Sequence, residues 1–192
     1  AFAVTTTREV NVIADGRPQR IRALASTETF NTVMGTPPLI GRGLAAGDDR
    51  DGADPVVLLG HALWQQTYGG DRGVLGQSIE VDGVQRRIVG VMPEGFRVFG
   101  DEQLFFPISI DDTAPNAGNF GLIGVGRMAE GSDVPSVNAE MNRLLSLYAE
   151  GNPDDAPRDP IEQSGLAADA KPFKDLFVQD VRQGLWILLG PV

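Results

Sequence analysis

Apolar and polar residues alternate with period two in several short stretches and keep helical spacing in one long one. Glu9-Val10-Asn11-Val12-Ile13 leads to Asp15-Gly16, a hairpin turn pair, and Gln19 to Leu24 alternates on the return. Thr27 to Met34 predicts a short helix capped by Thr27 and stopped by Gly35. Thr36-Pro37-Pro38-Leu39-Ile40-Gly41-Arg42-Gly43 predicts no regular structure, because its two prolines and two glycines break either ladder. The acidic stretch Gly47 to Gly52 reads as a loop.

Pro55 to Leu59 is a short, wholly apolar run and predicts a buried strand. Ala62 to Tyr68 predicts a helix ended by Gly69-Gly70. Ser78 to Val81, the turn Asp82-Gly83 and Arg87 to Val91 give the clearest hairpin, closed by Pro93. Gln103 to Ile108 is a further extended piece, which Pro107 places at an edge or a strand end. Thr113 to Asn119 is turn-rich and marks a boundary, after which Phe120 to Met128 predicts a strand. Ser132 or Asp133 then caps a helix carrying Val137, Met141, Leu144, Leu145 and Tyr148 on one face. Gly151-Asn152-Pro153 stops it, Asp154 to Asp159 is a loop, and Ile161 to Leu176 is ambiguous. The order of elements predicts an α+β fold, since regular strand–helix alternation is missing.

Composition narrows the function. The formal net charge of -10, from 26 acidic against 16 basic residues, disfavours nucleic acid, which needs a clustered positive field. The absence of cysteine excludes a disulfide scaffold and a thiolate metal site. Ala1-Phe2-Ala3-Val4-Thr5 lacks the pattern of a signal peptide. Gly184 to Val192 is apolar and uncharged, about half the length needed to cross a bilayer. It reads either as a buried last helix or as the first turns of a membrane helix.

No constellation of catalytic residues emerges, and no catalytic, cofactor-binding or metal-binding residue is assigned. Gly124-Val125-Gly126-Arg127-Met128-Ala129 fits the dinucleotide pattern, but the helix signal starts only at Ser132 or Asp133, too late to face a pyrophosphate. A glycine-bearing strand packed closely on its neighbours is the better reading. Asp48, Asp49, Asp51 and Asp54 lack the spacing and the final glutamate of a calcium loop. His61 is the only histidine, so a zinc site of the usual kind has too few ligands, and no G-x-S-x-G elbow accompanies it. It is expected to cap or pack at the start of its helix. Trp64, Tyr68, Phe96, Phe99, Phe105 and Phe106 are expected to fill a core rather than line a groove. The nucleotide-binding loop G-x-x-x-x-G-K-[ST] is absent, so the chain itself does not hydrolyse ATP through one.

An ordered series of short motifs resembles one family. Thr29 to Gly35 with Pro38-Leu39-Ile40-Gly41-Arg42 comes first, then Pro55 to Leu59 with Leu63-Trp64 and Tyr68-Gly69-Gly70-Asp71. Val74 to Ile79, Val81-Asp82-Gly83, Ile88-Val89-Gly90-Val91-Met92-Pro93, Gly95-Phe96 and Phe106-Pro107 follow, and Val125-Gly126-Arg127-Met128 with Gly131 ends the series. Together they resemble the MacB-like periplasmic core domain of ABC-transporter permeases, closest to the duplicated permeases often found apart from an ATPase gene. The resemblance implies a porter-like α+β lobe, residues 1–24 and 118–178, with an inserted mainly β (Sabre-like) lobe, residues 25–117. It also implies that 179–192 are a stalk and the start of a transmembrane helix, although Pro191 departs from that pattern, and that the porter-like lobe lacks a first strand and helix. The implied role is a non-catalytic extracytoplasmic domain that transmits conformational change and docks partners or substrate. The implied partners are the membrane-embedded remainder, a separate cytoplasmic ATPase subunit and a periplasmic adaptor, without nucleic acid or cofactor. The alternative is a periplasmic ligand-binding module for a peptide, lipid or drug-like molecule.

Overall fold

A computed structural model describes residues 1–14, 16–110, 121–151 and 167–175. The expected turn at Asp15, the boundary at 113–119, the loop at 154–159 and the stalk at 179–192 lie wholly or in part outside these residues. The chain divides into two compact units, Ala1–Ala114 with Asn119–Arg127, and Pro115–Gly118 with Met128–Val192. The fold is α+β, as the order of elements predicts.

The first unit is a sheet closed on itself. Strands β1 (Phe2–Ala14) and β2 (Arg17–Ser26) form the expected hairpin, longer than the alternation indicated. Helix α1 (Phe30–Met34), the short strand β3 (Ile40–Gly41) and strand β4 (Val56–Leu59) follow. Helix α2 (His61–Tyr68) then leads to the hairpin of β5 (Ser78–Val81) and β6 (Val84–Val91), and to β7 (Leu104–Pro107) and β8 (Ile123–Gly126). Neighbours run β2-β7-β4-β6-β5-β1, and because β1 also pairs with β2 these strands close into a ring. The β2–β7 and β4–β6 pairs are parallel, and the other pairs in the ring are antiparallel. Closure pairs each of these six strands with two neighbours, while β8 and β3 attach outside the ring, to β1 and β6.

Alternation sorts the ring residues onto two faces. Val10, Val12, Ile21, Ala23, Val57, Leu59, Ile79, Val81, Ile88, Leu104 and Phe106 form one continuous buried cluster, to which α2 adds Leu63 and Trp64. On the opposite face of β7, Phe105 meets Phe30 and Phe96. The wholly apolar β4 is explained by this arrangement, since both its faces are covered and all four of its residues are buried.

Three local expectations are corrected. The segment after Gly35 contains a strand, because Leu39 and Arg42 donate N–H bonds to the carbonyls of Val91 and Val89, so Ile40 and Gly41 pair with β6. Thr27 does not cap α1. Its hydroxyl oxygen accepts the Val4 N–H at 3.1 Å, and Thr29 stands at the cap position. Strand β6 starts at Val84, before the expected Arg87.

In the second unit, helix α3 (Val134–Gly151) begins where expected. Asp133 Oδ1 accepts the Ser136 N–H at 2.9 Å and Ser136 Oγ accepts the Asp133 N–H at 3.2 Å, a reciprocal cap. The Ser136 backbone bond holds the Asp133 carboxyl below the usual carboxylate range. Asn138 brackets Ala170, accepting its N–H at 2.6 Å and donating to its carbonyl at 3.3 Å, while Asn142 accepts the Ala168 N–H at 2.8 Å. The part of the ambiguous 161–176 segment that is described is thus tied to α3 by side chains, and residues 167–172 carry no regular element.

Candidate functional site

Most of the residues that the sequence offered for chemistry are held in structural contacts. Gly124 and Gly126 lie on β8 across from Val4 and Phe2. A Cβ on Gly124 would stand 2.7 Å from Phe2 Cζ, and one on Gly126 would stand 3.3 Å from Phe2 Cδ2. The glycines make room for a ring, in agreement with the close-packed-strand reading, and α3 starts only at Val134.

The acidic loop is tied down by its own carboxylates. Asp48 binds Arg42 at 2.6 and 3.1 Å and accepts the Ala45 N–H at 2.9 Å. Asp49 accepts the Glu28 N–H at 2.8 Å, and the Glu28 carboxylate accepts the Gly47 N–H. Among the described residues no three His, Asp or Glu side chains are grouped to hold a metal ion. His61 is the first residue of α2 and sets its ring edge-on to Trp64, with centroids 5.5 Å apart. Trp64 in turn donates its indole N–H to the Asp71 carbonyl at 2.8 Å. Trp64, Phe105 and Phe106 are buried as expected, with the last two on opposite faces of β7.

Two clamps were not legible in advance. Arg127 Nε donates to the Val33 carbonyl at 2.7 Å, and its guanidinium lies against Gly35, which ends α1 at φ 66°. A cation thus sits where the helix leaves its carbonyls unpaired, and it joins α1 to the end of β8. Glu102 is the other. Its side chain is fully buried, accepts the N–H groups of Val98 and Phe99 at 3.2 and 3.0 Å, and faces Arg22 Nε at 3.8 Å. Glu102→Ala is expected to cost about 2–3 kcal/mol in urea unfolding, because it leaves buried donors without their charged acceptor. A cost below about 0.5 kcal/mol would mean that water replaces the carboxylate freely.

A third arrangement concerns Arg8 and Arg86, which the sequence pattern did not single out. Their guanidinium carbons lie 5.1 and 4.5 Å from the centroid of the Phe106 ring. Burial, and then the charge of Arg8, hold the Arg86 guanidinium below its usual range, against an opposing pull from Asp82.

The family model of the MacB-like periplasmic core domain matches residues 1–144. The chain belongs to that family. The match runs from β1 into α3 and includes every motif that carried the resemblance. Solved structures agree on the fold. The periplasmic region of MacB from Actinobacillus actinomycetemcomitans superposes with a TM-score of 0.60 at 17% identity, covering 88% of this chain and 77% of that one. A domain of a permease protein from Porphyromonas gingivalis gives 0.59 at 18%, with 82% and 72% covered. The extracellular domain of the noncanonic ABC-type transporter YknZ from Gram-positive bacteria gives 0.60 at 15%, with 81% and 78% covered. No curated protein sequence matches the chain. Among the described residues no helix is long and apolar enough to cross a membrane.

Proposed function

We propose that this MacB-like domain works mechanically and by docking: outside the membrane, without catalysis of its own, it passes conformational change between a membrane-embedded remainder and a partner or substrate. A cytoplasmic ATPase subunit supplies the driving force in this reading, and a periplasmic adaptor is a candidate partner. Family membership carries the proposal. The β1–β2 hairpin supports it, because one long strand serves two neighbourhoods. Phe2 to Thr5 of β1 pair with β8, whereas Val12 and Ile13 pair with β5. Such a strand is stiff along its length and suits the transmission of a displacement.

The division into lobes belongs to the same proposal. Residues 1–24 and 118–178 are the porter-like lobe, 25–117 the inserted β-rich lobe, and 179–192 the stalk and start of a membrane helix. The proposed 24/25 division falls within β2.

The chain has no cysteine, so two introduced ones give labelling sites unique within it. Spin labels at Glu94 and Ser146, both exposed, are expected to change separation between the nucleotide-free and nucleotide-trapped states of the full transporter. Identical distance distributions in the two states would count against a mechanical role.

A further inference from the structure

We propose that Arg8 and Arg86 form an oxyanion-binding site on the β-ring, for a small ligand bearing a carboxylate or a phosphate. Both arginines occupy even positions on their strands, in line with Val10 and Val12 of β1 and with Ile88 of β6, whose side chains line the buried face of the ring. Each lies over the Phe106 ring, itself only 2% exposed, so one buried aromatic ring gathers two cations.

The geometry is costly for a purely structural pair. Among the described residues neither guanidinium makes a salt bridge or a hydrogen bond. Arg86 Nε is buried without a partner. Asp82, whose charge Arg86 feels, is engaged elsewhere, since its Oδ1 accepts the Asn11 N–H at 2.8 Å. Two like charges are therefore brought to one aromatic ring in a chain of net charge -10, with no carboxylate among the described residues bound to either.

An oxyanion that reaches both guanidiniums would offset their mutual repulsion and accept a bond from Arg86 Nε, which is buried without a partner. Guanidinium forks suit the planar carboxylate and the phosphate equally in this respect. The exposed Arg8 would be the mobile jaw, and Arg86, stacked and half-buried, the fixed one. The site does not depend on the transport reading, because it rests on the ring alone.

The test is thermal unfolding of the whole 192-residue chain in sodium phosphate, sodium acetate and sodium chloride at matched ionic strength. Phosphate, acetate or both are expected to raise Tm over chloride by roughly 2–4 °C. The better anion identifies the ligand's head group. Arg86→Met should abolish the rise while leaving Tm in chloride unchanged or higher, since it removes the repulsion and keeps an apolar chain on Phe106. Arg8→Met, at the exposed position, should abolish the rise as well and gives the reading if the first variant folds poorly. Equal Tm in all three salts, or a rise that both variants retain, overturns the proposal.

Discussion

Phe105→Ala is expected to destabilise the chain by about 4 kcal/mol, the largest loss from truncating a single side chain. Phe105 is 1% exposed and belongs to β7, which lies between β2 and β4 in the ring. Its backbone registers with Leu24 on one side and Leu58 on the other, both fully buried. The ring stacks on Phe30 at 6.1 Å and tilts against Phe96 at 5.4 Å. Removing it opens a void among three elements that cannot all collapse, because β7 is pinned by pairing on both edges. Urea unfolding followed by Trp fluorescence is the measurement, and the midpoint should fall with an unchanged slope. Leu39→Ala, at a residue 50% exposed, is the control and should cost about 0.5 kcal/mol or less. Similar losses from both variants would show that the Phe30–Phe96–Phe105 cluster is not a packed core.

What the sequence allowed one to read, and what it hid, follow from the range of the interactions. The β5–β6 hairpin was legible because its alternation and its Asp82-Gly83 turn are local signals. Its early start at Val84 was not, because Arg86 puts a charged residue at an inward position, against the expected pattern. The first half of β1 was hidden for a related reason. Thr5 is polar yet fully buried, its hydroxyl donating to the Ile123 carbonyl at 3.2 Å, and that partner is far away in sequence. Ring closure depends on the parallel pairing of β2 with β7 and of β4 with β6, which no local pattern encodes. The candidate site was still less visible. Arg8 and Arg86 lie far apart in the chain, and only the ring brings both to Phe106. The family motifs, by contrast, were legible as an ordered series, and the structure supplies physical reasons for several of their glycines.

Gly90 and Gly41 are the sharpest instance, and Gly90→Val is expected to cost at least about 3 kcal/mol. The two residues face each other where β3 crosses β6, just beyond the irregularity in the β4–β6 register. A Cβ on Gly90 would run into the Arg42 carbonyl oxygen and stand 3.2 Å from that of Ile40. A Cβ on Gly41 would meet the Val89 carbonyl oxygen and lie 2.8 Å from Gly90 Cα. The obstacles are backbone atoms held by pairing, so they cannot move aside as a flexible side chain would. Gly90 has no positive φ, which leaves crowding as the whole reason for glycine there. Gly76→Ala separates this effect from backbone strain, for Gly76 has φ 85° with nothing within 4 Å of its would-be Cβ. It should cost about 1–2 kcal/mol, through conformation alone. If Gly90→Val only detaches β3, far-ultraviolet dichroism will change little and proteolysis will shift to residues 36–50. If the crossing holds the ring together, the urea midpoint will fall by several times the Gly76→Ala change. Equal losses from Gly90→Val and Gly76→Ala would refute the close-approach account of this motif.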